Sequence, residues 1–161
     1  MLIRKIVTDD NSAMAGIIRN SLSEFNAAKP GTVFFDPATD HLSELFTQNK
    51  SAYFVIEVNG EIAGGSGFFP TEGLDEDTCE LVKMYVSNKF RGKGFGQTLL
   101  EKCIEEAIKA GYKKMYLESM PELKNALAMY EKNGFHYIPA QLGNSGHCGC
   151  DLFMMKDLND N

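Results

Sequence analysis

The stretch "RGKGFGQTLL", residues 91–100, combines residue types that could bind an anion. Gly92, Gly94 and Gly96 leave the backbone bare, although glycine costs conformational entropy on folding. A helical pattern begins directly after them, and the start of a helix carries unpaired N–H groups and a partial positive charge. The stretch therefore predicts a phosphate-binding turn, to which Arg91 and Lys93 add positive charge.

Two common phosphate-binding loops do not fit this stretch. No Gly-Lys-Ser/Thr sequence occurs, so the magnesium-binding hydroxyl of a Walker loop is missing. Gln97 stands where the third glycine of G-x-G-x-x-G would be. The structural alternative is a flexible turn between a strand and a helix, with cations on its surface.

A second stretch, "NALAMYEKNGF" at residues 125–135, completes a resemblance to the GCN5-related N-acetyltransferases. The first stretch is similar to the family signature R/Q-x-x-G-x-G/A, and the second to a run of Asn-Ala, Tyr-Glu-Lys and Gly-Phe. The matching positions are Arg91, Gly94, Gly96, Asn125, Tyr130, Gly134 and Phe135. The order of elements also resembles that family along nearly the whole chain.

The resemblance implies acetyl-CoA as the co-substrate. In the family, amides of the glycine turn hold the pyrophosphate, and the strand before the turn pairs with the pantetheine arm and offers an N–H to the oxyanion. An ordinary core strand is the plain interpretation of the same residues, and both can hold together. The implied binding residues are Met84, Tyr85, Val86, Arg91, Gly92, Lys93, Gly94, Phe95, Gly96, Gln97, Thr98, Asn125 and Tyr130.

Moving an acetyl group from a thioester to an amine also needs an acid for the thiolate and a base for the amine. By resemblance Tyr130 is the acid; otherwise it is a helix tyrosine packed with Leu123 and Leu127. Glu80 leads as the base, because a glutamate at this strand position serves so in several relatives. It lies roughly 13 Å along an extended strand from Met84, so it could equally be a charge at the entrance of the strand. Glu118, at the end of the strand "YLES", is the second candidate.

The loop "GNSGHCGC" is predicted to contact the substrate. His147 has a pKa suited to proton transfer, and Glu80, Glu118 and His147 are the candidate residues for substrate contact. His147, Cys148 and Cys150 supply at most three ligands without paired spacing, so we predict no metal site. A surface loop without a role is the alternative, and Cys150 as a nucleophile would depart from the direct transfer usual in the family.

The elements that must position these residues follow from the patterning. Strand-like and helical segments alternate in the order strand, two helices, three strands, helix, strand, helix, two strands. Asn59-Gly60 between two apolar strands indicates a tight hairpin, and the strand–helix–strand at residues 79–119 requires one parallel pair. We predict one N-acetyltransferase domain over residues 1–161, an α/β (α+β) fold with a mixed, mostly antiparallel sheet and helices on both faces.

Charge and composition exclude some classes of binding partner. The net charge of −6 argues against nucleic-acid binding, and no apolar run is long enough for a membrane span. The N-terminus does not resemble a signal peptide, so a cytoplasmic protein is expected, and its cysteines should then be reduced. We expect a monomer or a homodimer. The acidic "DEDT" near Glu80 favours cationic amines.

Taken together, the sequence predicts an acetyl-CoA-dependent N-acetyltransferase. The acceptor would be a primary amine of a small molecule or peptide, attacking directly in a ternary complex. Two alternatives remain open, namely a non-catalytic acyl-CoA-binding sensor on the same fold and a protein acetyltransferase.

Overall fold

A computed structural model of the chain describes residues 1–146 and 149–159. The described part contains seven strands and four α-helices, joined by short 3-10 turns. In chain order they are β1 (Leu2–Lys5), α1 (Asn11–Glu24), α2 (Leu42–Leu45), β2 (Ala52–Val58), β3 (Glu61–Phe69), β4 (Thr78–Val86), α3 (Phe95–Lys109), β5 (Lys114–Ser119), α4 (Lys124–Lys132), β6 (His136–Ile138) and β7 (Leu152–Asp157).

The strands form one mixed sheet in the order β1-β2-β3-β4-β5-β7-β6. The pair β4–β5 is parallel, and the other neighbouring pairs are antiparallel. The predicted mixed, mostly antiparallel α/β sheet is therefore confirmed. The helix α3 is the crossover that the parallel pair required.

Both faces of the sheet are covered by helices, as predicted. Alternate residues of β2 belong to different cores because side chains of a strand point to opposite faces. Phe54 and Ile56 pack with buried residues of α3 and α4. Tyr53 and Val55 pack on the other face with α1 and α2.

Local signals placed most elements within a few residues. The predicted tight hairpin between β2 and β3 turns at Asn59 and Gly60, whose φ angles of 51° and 81° are those of a type I′ turn. The strand β1 ends at Lys5, and α4 begins three residues after Pro121. No helix of the described residues is long and apolar enough to cross a membrane.

The start of α1 is not capped by the side chain of Asp10, the residue before it. This side chain accepts no hydrogen bond from the first turn. Its carboxylate accepts instead from the Val7 N–H at 2.8 Å and from the Arg4 guanidinium at 2.8 and 3.0 Å. The charge-assisted hydrogen bonds with Arg4 of the edge strand β1 are stronger than a hydrogen bond to a neutral backbone N–H of α1 would be.

The parallel pair at the centre of the sheet is short, and this creates the site. Thr78 pairs with Lys114, Cys79 with Met115, and Glu80 with Tyr116. Beyond that point β4 continues to Val86 beside β3 alone. Residues 81–86 thus leave one strand edge open toward β5, with backbone groups that a ligand can pair.

Candidate active site

A cavity of about 280 Å³ opens where β4 and β5 diverge. Its wall combines the open edge of β4, the end of β5, the first turn of α3 and one side of α4. Of the residues predicted to bind acetyl-CoA, the cavity is lined by Met84, Tyr85, Val86, Arg91, Gly92, Gly94, Phe95, Gly96, Asn125 and Tyr130. The fold therefore brings most of the predicted binding residues into one cavity.

The glycine turn has the geometry of an anion site. Gly92 and Gly94 have φ angles of 76° and 82°, which side chains other than glycine adopt at a cost. In α3 the N–H of Thr98 is the first to reach a helical acceptor, the carbonyl of Gly94 at 3.1 Å. The amides before it have no helical partner, and among the described residues no side chain caps the helix. Donors at a helix N-terminus therefore face the cavity.

The Arg91 side chain forms hydrogen bonds with other residues of the protein. Its guanidinium donates to Glu24 Oε1 at 2.7 Å and to Ser21 Oγ at 3.2 Å, and its Nε donates to the Val86 carbonyl at 3.1 Å. It also lies 4.7 Å from the centre of the Phe25 ring. The side chain therefore ties the turn to α1 and to the end of β4, in addition to lining the cavity.

Three residues predicted to bind acetyl-CoA do not line this cavity. Gln97 exchanges amide hydrogen bonds with Asn133 at the end of α4, both at 2.8 Å. The Thr98 hydroxyl donates to the Gly94 carbonyl at 3.1 Å. The Lys93 ammonium lies 5.4 Å from the centre of the Phe90 ring. Gln97 and Thr98 thus hold the turn in place, and Lys93 contributes charge from its exposed position.

Tyr130 reaches the cavity from α4. Its ring is buried with Leu127 and lies 5.7 Å from that of Phe135, whereas Leu123 belongs to the core on the other face. Its hydroxyl donates to the Met84 sulfur at 3.8 Å. Burial raises its pKa above the ordinary value, so the phenol keeps its proton at neutral pH. It is therefore in the form that a general acid needs.

A smaller cavity of about 60 Å³ lies next to the first and contains Glu80. The Glu80 carboxyl is buried, and Thr71 Oγ1 donates to its Oε1 at 2.6 Å. Burial raises the pKa of Glu80 to about 7, helped by the negative charge of Glu118 and opposed by Thr71 and Lys83. A carboxylate that takes up a proton near neutral pH is suited to act as a general base.

Glu118 lines both cavities but is already satisfied by donors. Its Oε2 accepts from Tyr116 Oη at 2.7 Å and from Gln141 Nε2 at 2.9 Å, and its Oε1 accepts from Ser145 Oγ at 2.6 Å. These bonds tie the loop between β6 and β7 to β5. Glu118 is therefore better suited to hold that loop than to accept a proton.

The predicted contact of the loop "GNSGHCGC" with the substrate stays a prediction. His147 and Cys148 lie outside the described residues. Cys150 lines the smaller cavity. In the described part of the chain, no three His, Cys, Asp or Glu side chains cluster as a metal site would require; the metal-free site stays a prediction.

Sequence reasoning missed several residues of the cavity wall. Ser21 lies in α1 and Phe25 directly follows it, and no motif connected this helix with the site. Lys83 lines both cavities. Its signal was present, since a lysine interrupts the apolar run of "CELVKMYV". By contrast, no residue of the acidic loop 72–77 lines either cavity.

A family profile and a relative of similar sequence both match this chain as an N-acetyltransferase. The profile described as Acetyltransferase (GNAT) family matches residues 19–135. The uncharacterized N-acetyltransferase YjgM of Escherichia coli is 39% identical over 158 residues, which cover 98% of this chain and 95% of that protein.

Two solved structures share the fold. An acetyltransferase of the GNAT family from Staphylococcus aureus superposes with a TM-score of 0.86 at 20% identity, covering 98% of this chain and 99% of that one. The yncA protein of Salmonella typhimurium, solved with its cofactor acetyl-CoA, superposes with a TM-score of 0.77 at 24% identity, covering 100% and 95%.

Proposed function

The chain belongs to the Acetyltransferase (GNAT) family, and from that premise we propose that it transfers an acetyl group from acetyl-CoA to a primary amine by direct attack. The observation that carries the proposal is the junction of the two cavities along β4. Both are lined by Leu81, Lys83, Tyr85, Glu118, Ser119 and Leu123. A donor in the larger cavity and an acceptor in the smaller one would meet there, as a ternary complex requires.

The residues of the larger cavity fit acetyl-CoA. The unpaired amides of the turn at Gly92–Gly96 suit its pyrophosphate, and the open edge of β4 suits the amides of its pantetheine arm. Asn125 lines the same wall from α4. When bound, acetyl-CoA supplies an activated acetyl thioester.

The chain's own residues would then move the protons. Glu80 accepts one from the attacking amine; its pKa of about 7 leaves a large fraction ionised at neutral pH. Among the described residues, no donor occupies its Oε2, while Thr71 holds Oε1. Tyr130 gives its phenolic proton to the departing thiolate, and backbone N–H groups on the open edge of β4 stabilise the oxyanion.

A non-catalytic acyl-CoA sensor and a protein acetyltransferase are the competing functions. A sensor needs the larger cavity alone and has no use for a buried carboxyl with a pKa near 7 beside it. The small volume of the second cavity favours a small acceptor over a protein side chain on a folded surface.

Thiol release from acetyl-CoA with a library of amines, measured on wild type and Tyr130→Phe, tests the proposal. We expect turnover with a subset of amines, and a kcat about 100-fold lower in Tyr130→Phe, because general acid catalysis is lost. The dissociation constant for acetyl-CoA should hardly change, since the proton matters only in the transition state.

Tyr137→Phe is the matched control, because Tyr137 lies on the exposed edge strand β6 away from both cavities. It should keep wild-type kcat. Tight acetyl-CoA binding without thiol release for any amine would favour the sensor. Wild-type kcat in a folded Tyr130→Phe protein would remove Tyr130 from the mechanism.

A further inference from the structure

Lys83 stands at an irregular point of β4. The pairing with β3 passes from Gly67–Val82 to Gly65–Tyr85, so β4 contains one extra residue there. Lys83 has a φ of 52°, a conformation that glycine or asparagine adopts more easily. Its carbonyl accepts a hydrogen bond from Tyr53 Oη at 2.6 Å. The backbone therefore has a structural role that does not require a lysine side chain.

Lys83 lies where the two cavities meet. It lines both of them, and burial lowers its pKa, while the negative charges of Asp36 and Glu80 act in the opposite direction. Within residues 1–146 and 149–159, no carboxylate forms a salt bridge with its ammonium. The charges of Asp36 and Glu80 thus offset the cost of burying this ammonium only in part, so a ligand that brings a further negative charge would stabilise it.

Among the described residues, the charged ones that line the smaller cavity are Glu80, Glu118 and Lys83. Asp36 acts on Lys83 from outside that wall. Glu118 is occupied by three donors. The groups left for a ligand are thus one carboxylate and one ammonium. This pair complements a small zwitterion, which presents an amine to Glu80 and an anion to Lys83.

The phosphates of acetyl-CoA are a poorer counter-ion for Lys83. The glycine turn offers its amides at the N-terminus of α3, whereas Lys83 also lines the Glu80 side of the sheet opening. The anion that reaches Lys83 therefore belongs to the acceptor.

We propose that the acceptor carries a carboxylate beside its amine, as a free α-amino acid does, and that Lys83 binds this carboxylate. The inference rests on the proposed function and specifies its substrate class. It replaces the expectation of cationic amines, which depended on the acidic residues of a loop that lines neither cavity.

The test uses pairs of ligands that differ only in the carboxylate. Each of the common α-amino acids is compared with its carboxamide, by calorimetric binding to the protein saturated with CoA, where no transfer can occur. Thiol release with acetyl-CoA is measured on the same pairs. Wild type should prefer at least one acid over its amide by about 10- to 100-fold, the effect of one charged hydrogen bond.

Lys83→Met should abolish that preference while leaving the dissociation constant for CoA unchanged. Lys83→Asn, whose residue tolerates the positive φ, repeats the test if the methionine variant folds poorly. Lys113→Met is the matched control, since Lys113 is exposed and lies outside both cavities; it should keep the preference.

Equal binding of acids and amides, no binding of any acid, or an intact preference in both Lys83 variants would overturn the inference. Binding is measured without turnover, so its result is independent of catalysis. Acid-selective binding without thiol release would leave the inference standing and count against the proposed transfer.

Discussion

Glu80 shows how one residue can be set up for proton transfer by burial. Desolvation is the largest cause of its raised pKa, and the neighbouring charge of Glu118 acts in the same direction. The Thr71 hydroxyl fixes one carboxylate oxygen and lowers the pKa in part. The balance leaves a carboxyl with a pKa of about 7, where a base works best at neutral pH.

We predict that the wild-type rate rises with pH through about 7 and that Glu80→Gln removes this rise. A carboxyl with a raised pKa is protonated and inactive below that value and ionised above it, so activity should increase as pH rises. Loss of the base should lower kcat/KM about 100-fold at pH 7, and less near pH 9, where solvent can take its place. The measurement is the pH profile of kcat/KM.

Glu76→Gln is the control for this prediction, because Glu76 is an exposed carboxylate in a loop that lines neither cavity. Its profile should follow wild type. If the rate of the Glu80→Gln protein still rises near pH 7, another group is the base, and Glu118 is the next candidate.

The turn before α3 is the element on which cofactor binding depends, and its glycines are not equivalent. At Gly94 the φ of 82° strains any side chain. At Gly96 the backbone is helical, and a Cβ would meet the Met129 side chain, with the sulfur at 3.4 Å and the Cε at 3.9 Å. Gly94→Val therefore perturbs the turn as well as the binding surface, whereas Gly96→Val tests the surface itself.

We predict that Gly96→Val raises the dissociation constant for acetyl-CoA by about tenfold or more, because a side chain blocks the approach to the turn amides. Its melting temperature should stay within a few degrees of wild type. Calorimetry and thermal unfolding are the measurements. Gly94→Val should weaken binding too, with a larger loss of stability from the strained φ.

Gly16→Val is the control at the level of elements, because Gly16 lies on the exposed face of α1 with open space around it. It should bind acetyl-CoA as wild type does. Unchanged affinity in a folded Gly96→Val protein would contradict a phosphate site at this turn.

At the scale of the whole molecule, the sheet is divided by the short pairing of β4 with β5. The larger cavity has walls from both sides of this division, β4 and α3 on one and β5 and α4 on the other. A bound ligand that contacts both walls would link them. The Arg91 contacts with α1 connect the turn to the opposite face of the sheet.

We predict that acetyl-CoA stabilises the entire fold, by about 2.7 kcal/mol at a concentration 100 times its dissociation constant. Amide hydrogen exchange should slow in β4 and α3 and also in β5 and α4. Gly96→Val at the same ligand concentration should lose most of this protection. Protection confined to α3 would show that the ligand does not bridge the two walls.

The sequence by itself determined the features that depend on neighbours along the chain. The glycine turn followed by a helical stripe indicated an anion site at α3, Asn59-Gly60 indicated the hairpin, and the order of elements indicated the mixed sheet. These signals are local, because turn conformation and side-chain periodicity are fixed within a few residues.

Tertiary structure decided the contacts, the burial and the strand pairing that join segments distant in sequence. Arg91 forms a hydrogen bond with Glu24, 67 residues away in sequence. Arg91 was predicted to add positive charge to the phosphate site, and this contact gives it a second, structural role. The depth at which Glu80 is buried, and hence its pKa, depends on the packing of β3, β5 and their loops. Lys83 lies beside both cavities only because β4 gains a residue against β3 and separates from β5. Pairing between strands is set by the whole sheet, so no pattern within β4 itself could predict it.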